Sequence, residues 1–189
     1  MSTTTKEDIF KAFIEILKTK PFDKITVRDI VEECDINRNT FYYYYSDIYE
    51  LLEEIFKMEF VEIVPKHSSG FRWLVGFSRM IESSYSNKKI INNICASKSF
   101  EYLENYMFKS CRNILSDYMH DMAEGRNIDE AQLEFTISFY QYAIIGTLSE
   151  WYRTGMPEPP EQILKQFITV FEGIAPALER AEKNGSANK

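Results

Sequence analysis

The segment from Asn37 to Tyr45, NRNTFYYYY, holds the side chains best suited to binding a duplex. An arginine can form two hydrogen bonds with guanine, an asparagine can do the same with adenine, and a threonine can touch a thymine methyl group. Tyrosine hydroxyls can donate to phosphate oxygens, which fixes the position of a protein on DNA without reading bases. This combination in one short segment predicts a helix that enters the major groove.

Helical spacing divides the four consecutive tyrosines between two faces. At about 100° per residue, Tyr44 and Tyr45 fall on the same side as Phe41 and are predicted to pack inward. Tyr42 and Tyr43 fall on the opposite side and are predicted to face DNA. The alternative is that the outer pair only covers an apolar surface, with its hydroxyls in water.

A shorter helix and a tight turn precede this segment. Thr26 and Asp29 have the spacing of an N-terminal capping box. Asp35 tolerates the left-handed conformation that the turn needs, and Asn37 is a good N-cap for the next helix. One apolar stripe at helical spacing connects the box to the turn: Val27, Ile30, Val31 and Cys34.

The rest of the chain is also predicted to be helical. Residues 1–64 divide into three short helices and a longer fourth, a size that suits a small DNA-binding domain. Beyond Val64, Pro65 and the Ser68–Gly70 cluster mark a join, so residues 65–189 are predicted to form a second domain. Its predicted helices cover residues 71–85, 98–123, 130–154 and 160–183. The predicted fold is all-α: an N-terminal three-helix helix-turn-helix module and a C-terminal helical domain for ligand binding and dimerisation.

With these residues identified, two segments resemble the TetR family of bacterial transcriptional regulators. The first is ITVRDIVEECDINRNTFYYYYSDIYELL, from Ile25 to Leu52. The second is AIIGTLSEWYRTGMPEPPEQI, from Ala143 to Ile163, which is similar to a branch with a Trp-x-x-x-Gly-Met pattern near the end of a helix. The residues between them match only in being helical.

The resemblance implies a homodimer that binds a palindromic double-stranded operator and is released from it by an unknown small-molecule effector, as a repressor would be. Many family members carry a lysine that binds phosphate where this chain has Ile48. The resemblance implies that Thr26 and the backbone at Asp47 contact phosphate. Without the lysine, we expect phosphate affinity to depend more on hydroxyls and helix N-termini than on charge. The implied DNA-binding residues are Thr26, Arg28, Asn37, Arg38, Asn39, Thr40, Tyr42, Tyr43, Tyr44 and Asp47.

The C-terminal domain offers candidates for two further surfaces. Small residues beside aromatic ones allow helices to approach closely, and together with the resemblance they predict a dimer interface at Tyr140, Ala143, Gly146, Thr147, Phe167 and Phe171. The alternative is that these faces of the third and last predicted helices of the domain are both buried within one protomer. Aromatic and methionine residues of the central helices could line an apolar ligand site, or could be plain core. The candidate ligand-binding residues are Trp73, Phe77, Phe100, Tyr106, Met107 and Tyr118.

The charge of the chain argues against tight non-specific DNA binding. The formal net charge is -7, and residues 1–48 hold seven basic and nine acidic side chains. Because non-specific affinity depends on neutralising phosphates, we expect weak non-specific binding that added salt removes easily. The same charge motivates a second hypothesis, an adaptor of the same fold that binds a protein in place of DNA.

Other classes of function have little support. The sequence shows no pairing of a nucleophile with a base and no phosphate-binding glycine loop, so neither an enzyme nor a cofactor is predicted. Cys34, Cys95 and Cys111 are far apart, so no metal site is predicted. Cys34 is expected to be a small core residue, with a redox sensor as the alternative. No stretch approaches about 18 uninterrupted apolar residues, so no membrane contact and a cytoplasmic location are expected.

Overall fold

The structure, a computed structural model, describes residues 3–63 and 72–187, and the side chains of residues 5–57 and 74–183. The predicted join at residues 64–70 lies outside the described residues. All the regular elements in the described ranges are helical, which confirms the all-α prediction. In chain order they are α1 (Thr3–Leu17), a 3-10 turn (Phe22–Lys24), α2 (Val27–Glu33), α3 (Arg38–Tyr44), α4 (Ile48–Ile63), α5 (Arg72–Ser86), α6 (Lys88–Cys95), α7 (Phe100–Ala123), α8 (Glu130–Arg153), α9 (Pro160–Phe171) and α10 (Ile174–Ala187).

The predicted helix boundaries of the N-terminal module are confirmed. The Thr26 hydroxyl accepts from the backbone N–H of Asp29, whose carboxylate accepts from the backbone N–H of Thr26 at 2.7 Å. Asp35 has a φ of 51°, the left-handed conformation expected in the turn. The module packs around Phe13, Phe22 and other fully buried apolar side chains.

Helix α4 connects the core of this module to the core of the larger domain. Its side chains Leu51 and Leu52 are buried beneath the module, and Ile55 and Phe56 continue the same hydrophobic cluster one turn further on. The Asp47 carboxylate caps the helix by accepting from the backbone N–H groups of Tyr49 at 2.8 Å and Glu50 at 2.9 Å. A movement in the larger domain would therefore reach the module through packed side chains.

One prediction for the C-terminal helices is wrong, and one helix is not predicted from the sequence. Residues 88–95 form that helix, α6. The predicted helix over residues 160–183 is two helices, because α9 ends at Phe171 and α10 begins at Ile174. Pro176 lies in the first turn of α10, where its missing N–H costs nothing, whereas a continuous helix would lose a hydrogen bond there.

The turn after α8 contains the Trp-x-x-x-Gly-Met pattern. Gly155 and Met156 both adopt positive φ, at 76° and 53°, and the Met156 side chain is fully buried. The indole N–H of Trp151 donates to the carbonyl of Glu158 at 3.2 Å. The Lys88 ammonium group donates to the Met156 carbonyl at 2.8 Å, so this turn also holds the start of α6.

Candidate nucleic-acid interface and regulatory domain

Helix α3 is a two-turn helix with a defined start. The side-chain oxygen of Asn37 accepts from the backbone N–H of Thr40 at 2.9 Å and from its hydroxyl at 3.2 Å. This confirms Asn37 as the N-cap. Capping satisfies an N–H group that would otherwise lack a partner in so short a helix. The Thr40 hydroxyl donates its proton in this contact, which leaves its oxygen lone pairs and its methyl group to contact a partner.

The predicted facing is confirmed for Tyr42, Tyr43 and Tyr45, whereas Tyr44, predicted to pack inward, is only half-buried. Phe41 is fully buried and Tyr45 is 2% exposed, whereas Tyr42 and Tyr43 are 54% and 71% exposed. Tyr44 is half-buried, and its ring meets the edge of the Tyr43 ring at a centroid distance of 5.0 Å. The core thus fixes α3 by one face and leaves two phenol rings in solvent on the other. Both exposed rings are braced by an aromatic neighbour, since Tyr42 packs edge-on against Phe41.

The other predicted DNA-binding residues differ in whether their side chains already have a partner within the protein. Asn37, Arg38 and Asn39 are exposed at the start of α3. Within the described part of the chain, Arg38 forms no ion pair. Arg28, by contrast, donates to Glu32 at 2.6 Å, and this carboxylate raises the pKa of the guanidinium. Arg28 must exchange this partner to reach DNA.

The two predicted phosphate contacts are also partly occupied. The Thr26 hydroxyl donates to the Asp29 carboxylate at 2.8 Å, and Lys20 pairs with the same carboxylate at 2.8 Å. The Lys20 ammonium group lowers the pKa of Asp29, with help from Thr26. At α4, the Asp47 carboxylate already takes the N–H groups of Tyr49 and Glu50. A phosphate near Asp47 is therefore limited to the N–H groups that precede Tyr49.

The predicted dimer residues divide into an exposed and a buried set. Ala143, Gly146 and Thr147 are exposed on α8, but Tyr140 and Phe167 are 9% and 6% exposed within the protomer. Phe171 is half-buried and, like Phe167, packs edge-on against Phe77. The alternative of burial within one protomer thus holds for some of the set. Further apolar side chains extend the exposed face: Phe135, Phe139, Tyr142 and Val170.

One of the predicted ligand-binding residues lines a cavity of about 200 Å³ between the two parts of the chain. That residue is Met107. The other described candidates lie outside its wall: Phe77 packs on α9, Phe100 lies under the Arg153 guanidinium, and the Tyr106 ring packs at a tilt against Phe56. Tyr118 is a half-buried residue near the end of α7, and the side chain of Trp73 lies outside the described residues.

Sequence reasoning missed the residues that join the module to α6 and α7. The Asp23 carboxylate accepts from the backbone N–H of Lys98 at 2.8 Å and from the Ser99 hydroxyl at 3.1 Å. The Asn93 amide donates to the carbonyl of Leu17 at 2.8 Å. The available signal was the apolar spacing of Ile90 and Ile94, which marks a buried face on a helix too short to be assigned.

The cysteines and one cluster around His120 are the remaining candidate reactive sites among the described residues. Burial raises the pKa of the Cys34 thiol to about 11 and that of Cys95 to about 12. His120 lies near Glu130 and Glu134 on the surface, with ligand atoms within 4.8 Å of one another. The Ser116 carbonyl, followed by Glu130, raises the His120 pKa. Glu134 already pairs with Arg112, so the cluster is explained by surface ion pairing.

The structure is a helix-turn-helix module joined to a larger helical domain, and comparisons with known proteins agree. A family described as "Bacterial regulatory proteins, tetR family" matches residues 9–55. A second family, described as "Transcriptional regulator C-terminal region", matches residues 72–173. The chain belongs to the TetR family of transcriptional regulators. The matching families and relatives are regulators and not enzymes.

Two curated relatives are similar in sequence. The chain is 26% identical over 134 residues to the HTH-type dhaKLM operon transcriptional activator DhaS of Lactococcus lactis, covering 70% of each chain. It is 24% identical over 176 residues to the uncharacterized HTH-type transcriptional regulator YxbF of Bacillus subtilis. That match covers 89% of this chain and 44% of YxbF.

Solved structures show the same fold. The dihydroxyacetone kinase operon activator DhaS aligns with a TM-score of 0.74 and 21% identity, over 96% of this chain and 99% of that one. A TetR regulator from Streptococcus agalactiae aligns with a TM-score of 0.64 and 23% identity, over 88% and 93% of the two chains. Among the described residues, none of the helices is both long and apolar enough to cross a membrane.

Proposed function

We propose that this TetR-family regulator binds a palindromic operator as a homodimer, represses by occupying it, and leaves it when a small molecule binds the C-terminal domain. The observation that carries the proposal is the outer face of α3, where Arg38, Asn39, Tyr42 and Tyr43 are exposed on a capped helix that the core holds rigidly. A rigid, exposed polar face of this kind is what major-groove readout requires.

The proposed dimer uses the exposed face of α8 and α9. Gly146 supports it, because a Cβ added there would meet no atom within 4 Å, so packing within the protomer does not require a glycine. Glycine in the middle of a helix costs roughly 0.5–1 kcal/mol relative to alanine. A second copy packing closely against this position would account for that cost. A groove of about 150 Å³ between Ala143, Val170 and their neighbours lies beside it.

Release by a small molecule requires that the molecule bind the DNA-free conformation more tightly than the DNA-bound one. The core that continues through α4, and the hydrogen bonds from Asp23 and Asn93, connect the module to the larger domain. The domain division proposed for the chain follows these contacts, with residues 1–64 binding DNA and residues 65–189 binding the effector and the second copy. A regulator that binds DNA acts in the cytoplasm of a bacterium.

Activation is a second candidate for the sign of regulation. The relative DhaS is named as a transcriptional activator, and DNA binding by the same face serves either sign. Separately, the Trp-x-x-x-Gly-Met turn supports the proposal that the chain belongs to the branch of the family with this pattern. A reporter gene behind the operator separates the two signs, because deleting the regulator raises expression under repression and lowers it under activation.

The central experiment is a gel shift with the purified, ligand-free, dimeric protein and DNA flanking its own gene. We expect a discrete complex with labelled flanking DNA. Unlabelled flanking DNA should displace the labelled DNA, whereas a shuffled sequence of the same composition should not. If no operator binds, the adaptor hypothesis replaces this one. A retained complex on shuffled DNA would show that binding is non-specific and would contradict readout by α3.

A further inference from the structure

We propose that the cavity between α1, α4, α5, α6, α7 and α8 is the site of a small, uncharged molecule with one hydroxyl or carbonyl group, and that this molecule acts on the DNA-binding module directly through α1. The inference rests on the proposed function and adds to it the chemistry of the effector and the residues that sense it.

The cavity has walls from both parts of the chain. Phe10 and Ile14 of α1 and Ile55 of α4 form one side, so the DNA-binding module supplies part of the wall. Ile90 of α6 and Met107 of α7 also line the cavity, so the larger domain supplies another part of the wall. An occupant would therefore touch the module itself and would not need a chain of intermediate residues to reach it.

The chemistry of the wall selects an uncharged occupant. Among the described residues that line the cavity, none is charged. Burying an ionised group without a partner is strongly unfavourable. The polar end is formed by Ser84 and Tyr152, whose hydroxyls are 2.9 Å apart. Burial raises the pKa of Tyr152 to about 12, so its phenol is uncharged as well.

This hydroxyl pair can still bind one polar group of an occupant. Each hydroxyl has one donor proton and two acceptor lone pairs, and the contact between them uses one proton and one lone pair. A single proton and several lone pairs remain, which suits one hydroxyl or carbonyl group. Asn87 is exposed at the junction of α5 and α6 and lines the same cavity, so it marks an entrance.

The volume limits the size of the occupant. A cavity of about 200 Å³ is somewhat larger than the apolar cavity of ~150 Å³ that holds benzene in an engineered protein. An aromatic ring with a short polar substituent, or an aliphatic alcohol or ketone of similar volume, fills it. Drug-sized ligands, whose pockets begin at about 300 Å³, do not fit without a change of conformation.

Helix α6 gives the occupant a route to the DNA-binding surface. Its apolar side chains line the cavity, and its Asn93 donates to the carbonyl of Leu17 at the end of α1. Immediately after α6, Lys98 and Ser99 hold the carboxylate of Asp23, just ahead of the helix-turn-helix. A shift of α6 away from a bound molecule would pull on both contacts and turn the module relative to the larger domain.

The binding test uses the full-length dimer and three probes of nearly equal size: benzyl alcohol, benzoate and benzylammonium. Protein NMR with labelled methyl groups reports binding at millimolar probe concentration through Ile14 and Met107. We expect benzyl alcohol to shift these signals and both ions to bind at least about tenfold more weakly, because the described wall offers an ion no group of opposite charge. Equal binding of the ions, or no shift with benzyl alcohol, overturns the proposal.

Two variants locate the site. Ile14→Phe fills the cavity from α1 and should abolish the shifts at Met107, whereas Ile16→Phe, on the same helix and outside the wall, should leave them unchanged. Ser84→Ala should weaken the binding of benzyl alcohol by about threefold to tenfold, the usual effect of one hydrogen bond. The binding of toluene, which has no hydroxyl group, should be unaffected. Melting temperatures identify any variant that fails to fold. Binding that survives Ile14→Phe in a folded protein would place the site elsewhere and overturn the proposal.

A gel shift separates this inference from the proposed function. If the cavity binds benzyl alcohol and the operator complex then weakens, both stand. If the operator complex forms but the cavity binds none of the probes, this inference fails and DNA binding by α3 is unaffected. If the cavity is occupied and the operator complex is unchanged, the coupling through α1 and α6 is wrong.

Discussion

At the scale of single residues, four adjacent tyrosines have different roles because a helix turns by about 100° per residue. Tyr45 closes the core of the module beside Phe41, and its burial raises the pKa of its phenol above the ordinary value. Tyr44 is at the boundary, half-buried. Tyr42 and Tyr43 place their hydroxyls in solvent, on the face that also carries Arg38.

The outer hydroxyls should contribute to operator affinity and not to stability. We expect Tyr42→Phe and Tyr43→Phe each to weaken operator binding by about 1 kcal/mol, the scale of one hydrogen bond, with an unchanged melting temperature. Fluorescence anisotropy with labelled operator measures the affinity. Tyr102→Phe is the matched control, since Tyr102 is 54% exposed, like Tyr42, but lies on α7.

A buried tyrosine should give the opposite result. Tyr45→Ala removes a large core side chain and should lower the free energy of unfolding by roughly 3 kcal/mol. Urea denaturation of Tyr45→Ala and of Tyr42→Phe compares the two effects directly. Loss of stability in Tyr42→Phe, with none in Tyr45→Ala, would mean that the facing of α3 is wrong.

The cysteines should react slowly at neutral pH. The thiolate is the reactive form, and burial raises the thiol pKa values to about 11 for Cys34 and about 12 for Cys111. Because a raised pKa keeps the thiol protonated until alkaline pH, alkylation by iodoacetamide at pH 8 should be slower than that of free glutathione. Mass spectrometry follows the rate, which should rise with pH. Fast alkylation of Cys34 at pH 7 would instead favour the redox sensor.

At the scale of elements, the short α6 and the turn after it hold the DNA-binding module against the larger domain. Asp23 lies in the 3-10 turn between α1 and α2, and both of its oxygens accept hydrogen bonds from the start of α7. Ser99 is 2% exposed, so its hydroxyl would lose a partner in a buried place if Asp23 were removed. An unsatisfied buried polar group costs about 1–3 kcal/mol.

We therefore expect Asp23→Ala to lower stability by about 1–2 kcal/mol, within the range for such a group, and to speed hydrogen exchange at the Lys98 amide. NMR measures that exchange residue by residue. Glu15→Ala is the control, because Glu15 is an exposed acid of α1 that pairs with the neighbouring Lys18. Unchanged exchange at Lys98 in Asp23→Ala would show that this contact does not hold the module.

At the scale of the whole molecule, the acidic balance of the chain should set how DNA binding depends on salt. Lys20 and Arg28 already pair with carboxylates, which leaves few free cations for phosphates. Each neutralised phosphate contributes about 0.9 to the slope of log affinity against log salt, so we expect a slope of magnitude about 4 or less for the dimer. Anisotropy titrations from low to moderate salt measure it.

A variant on the same surface checks the interpretation. Ile48→Lys introduces the lysine that many family members carry at the start of α4, and it should steepen the slope by about 0.9 per protomer. A slope near −10 for the unmodified protein, typical of many phosphate contacts, would contradict the prediction.

The proposed dimer should depend on a position that the protomer does not need. Gly146→Glu places a charge on each side of a two-fold interface and should weaken dimerisation by at least about tenfold, or roughly 1.4 kcal/mol. Analytical ultracentrifugation measures the association. Asn113→Glu, which makes the same charge change at an exposed position of α7, should have no effect. A dimer that survives Gly146→Glu intact would place the interface elsewhere.

The sequence by itself determined the helix-turn-helix. The caps at Thr26 and Asn37, the left-handed residue Asp35 and the inward and outward tyrosines follow from interactions within a few residues of the chain. Such interactions leave a readable pattern, since capping and helical periodicity act over one or two turns. The exposed face of α3 could therefore be assigned without a structure.

The tertiary structure alone decided how the two parts meet. Asp23 and Ser99 are 76 positions apart, and the cavity joins α1 to α6 and α7. No local pattern reports such contacts, because they depend on how whole helices pack. The same reason explains Tyr140 and Phe167. Their residue types are typical of a dimer interface, but they are buried within one protomer. What local hydrogen bonds and periodicity fix can be predicted from sequence, whereas the packing between distant helices must be seen.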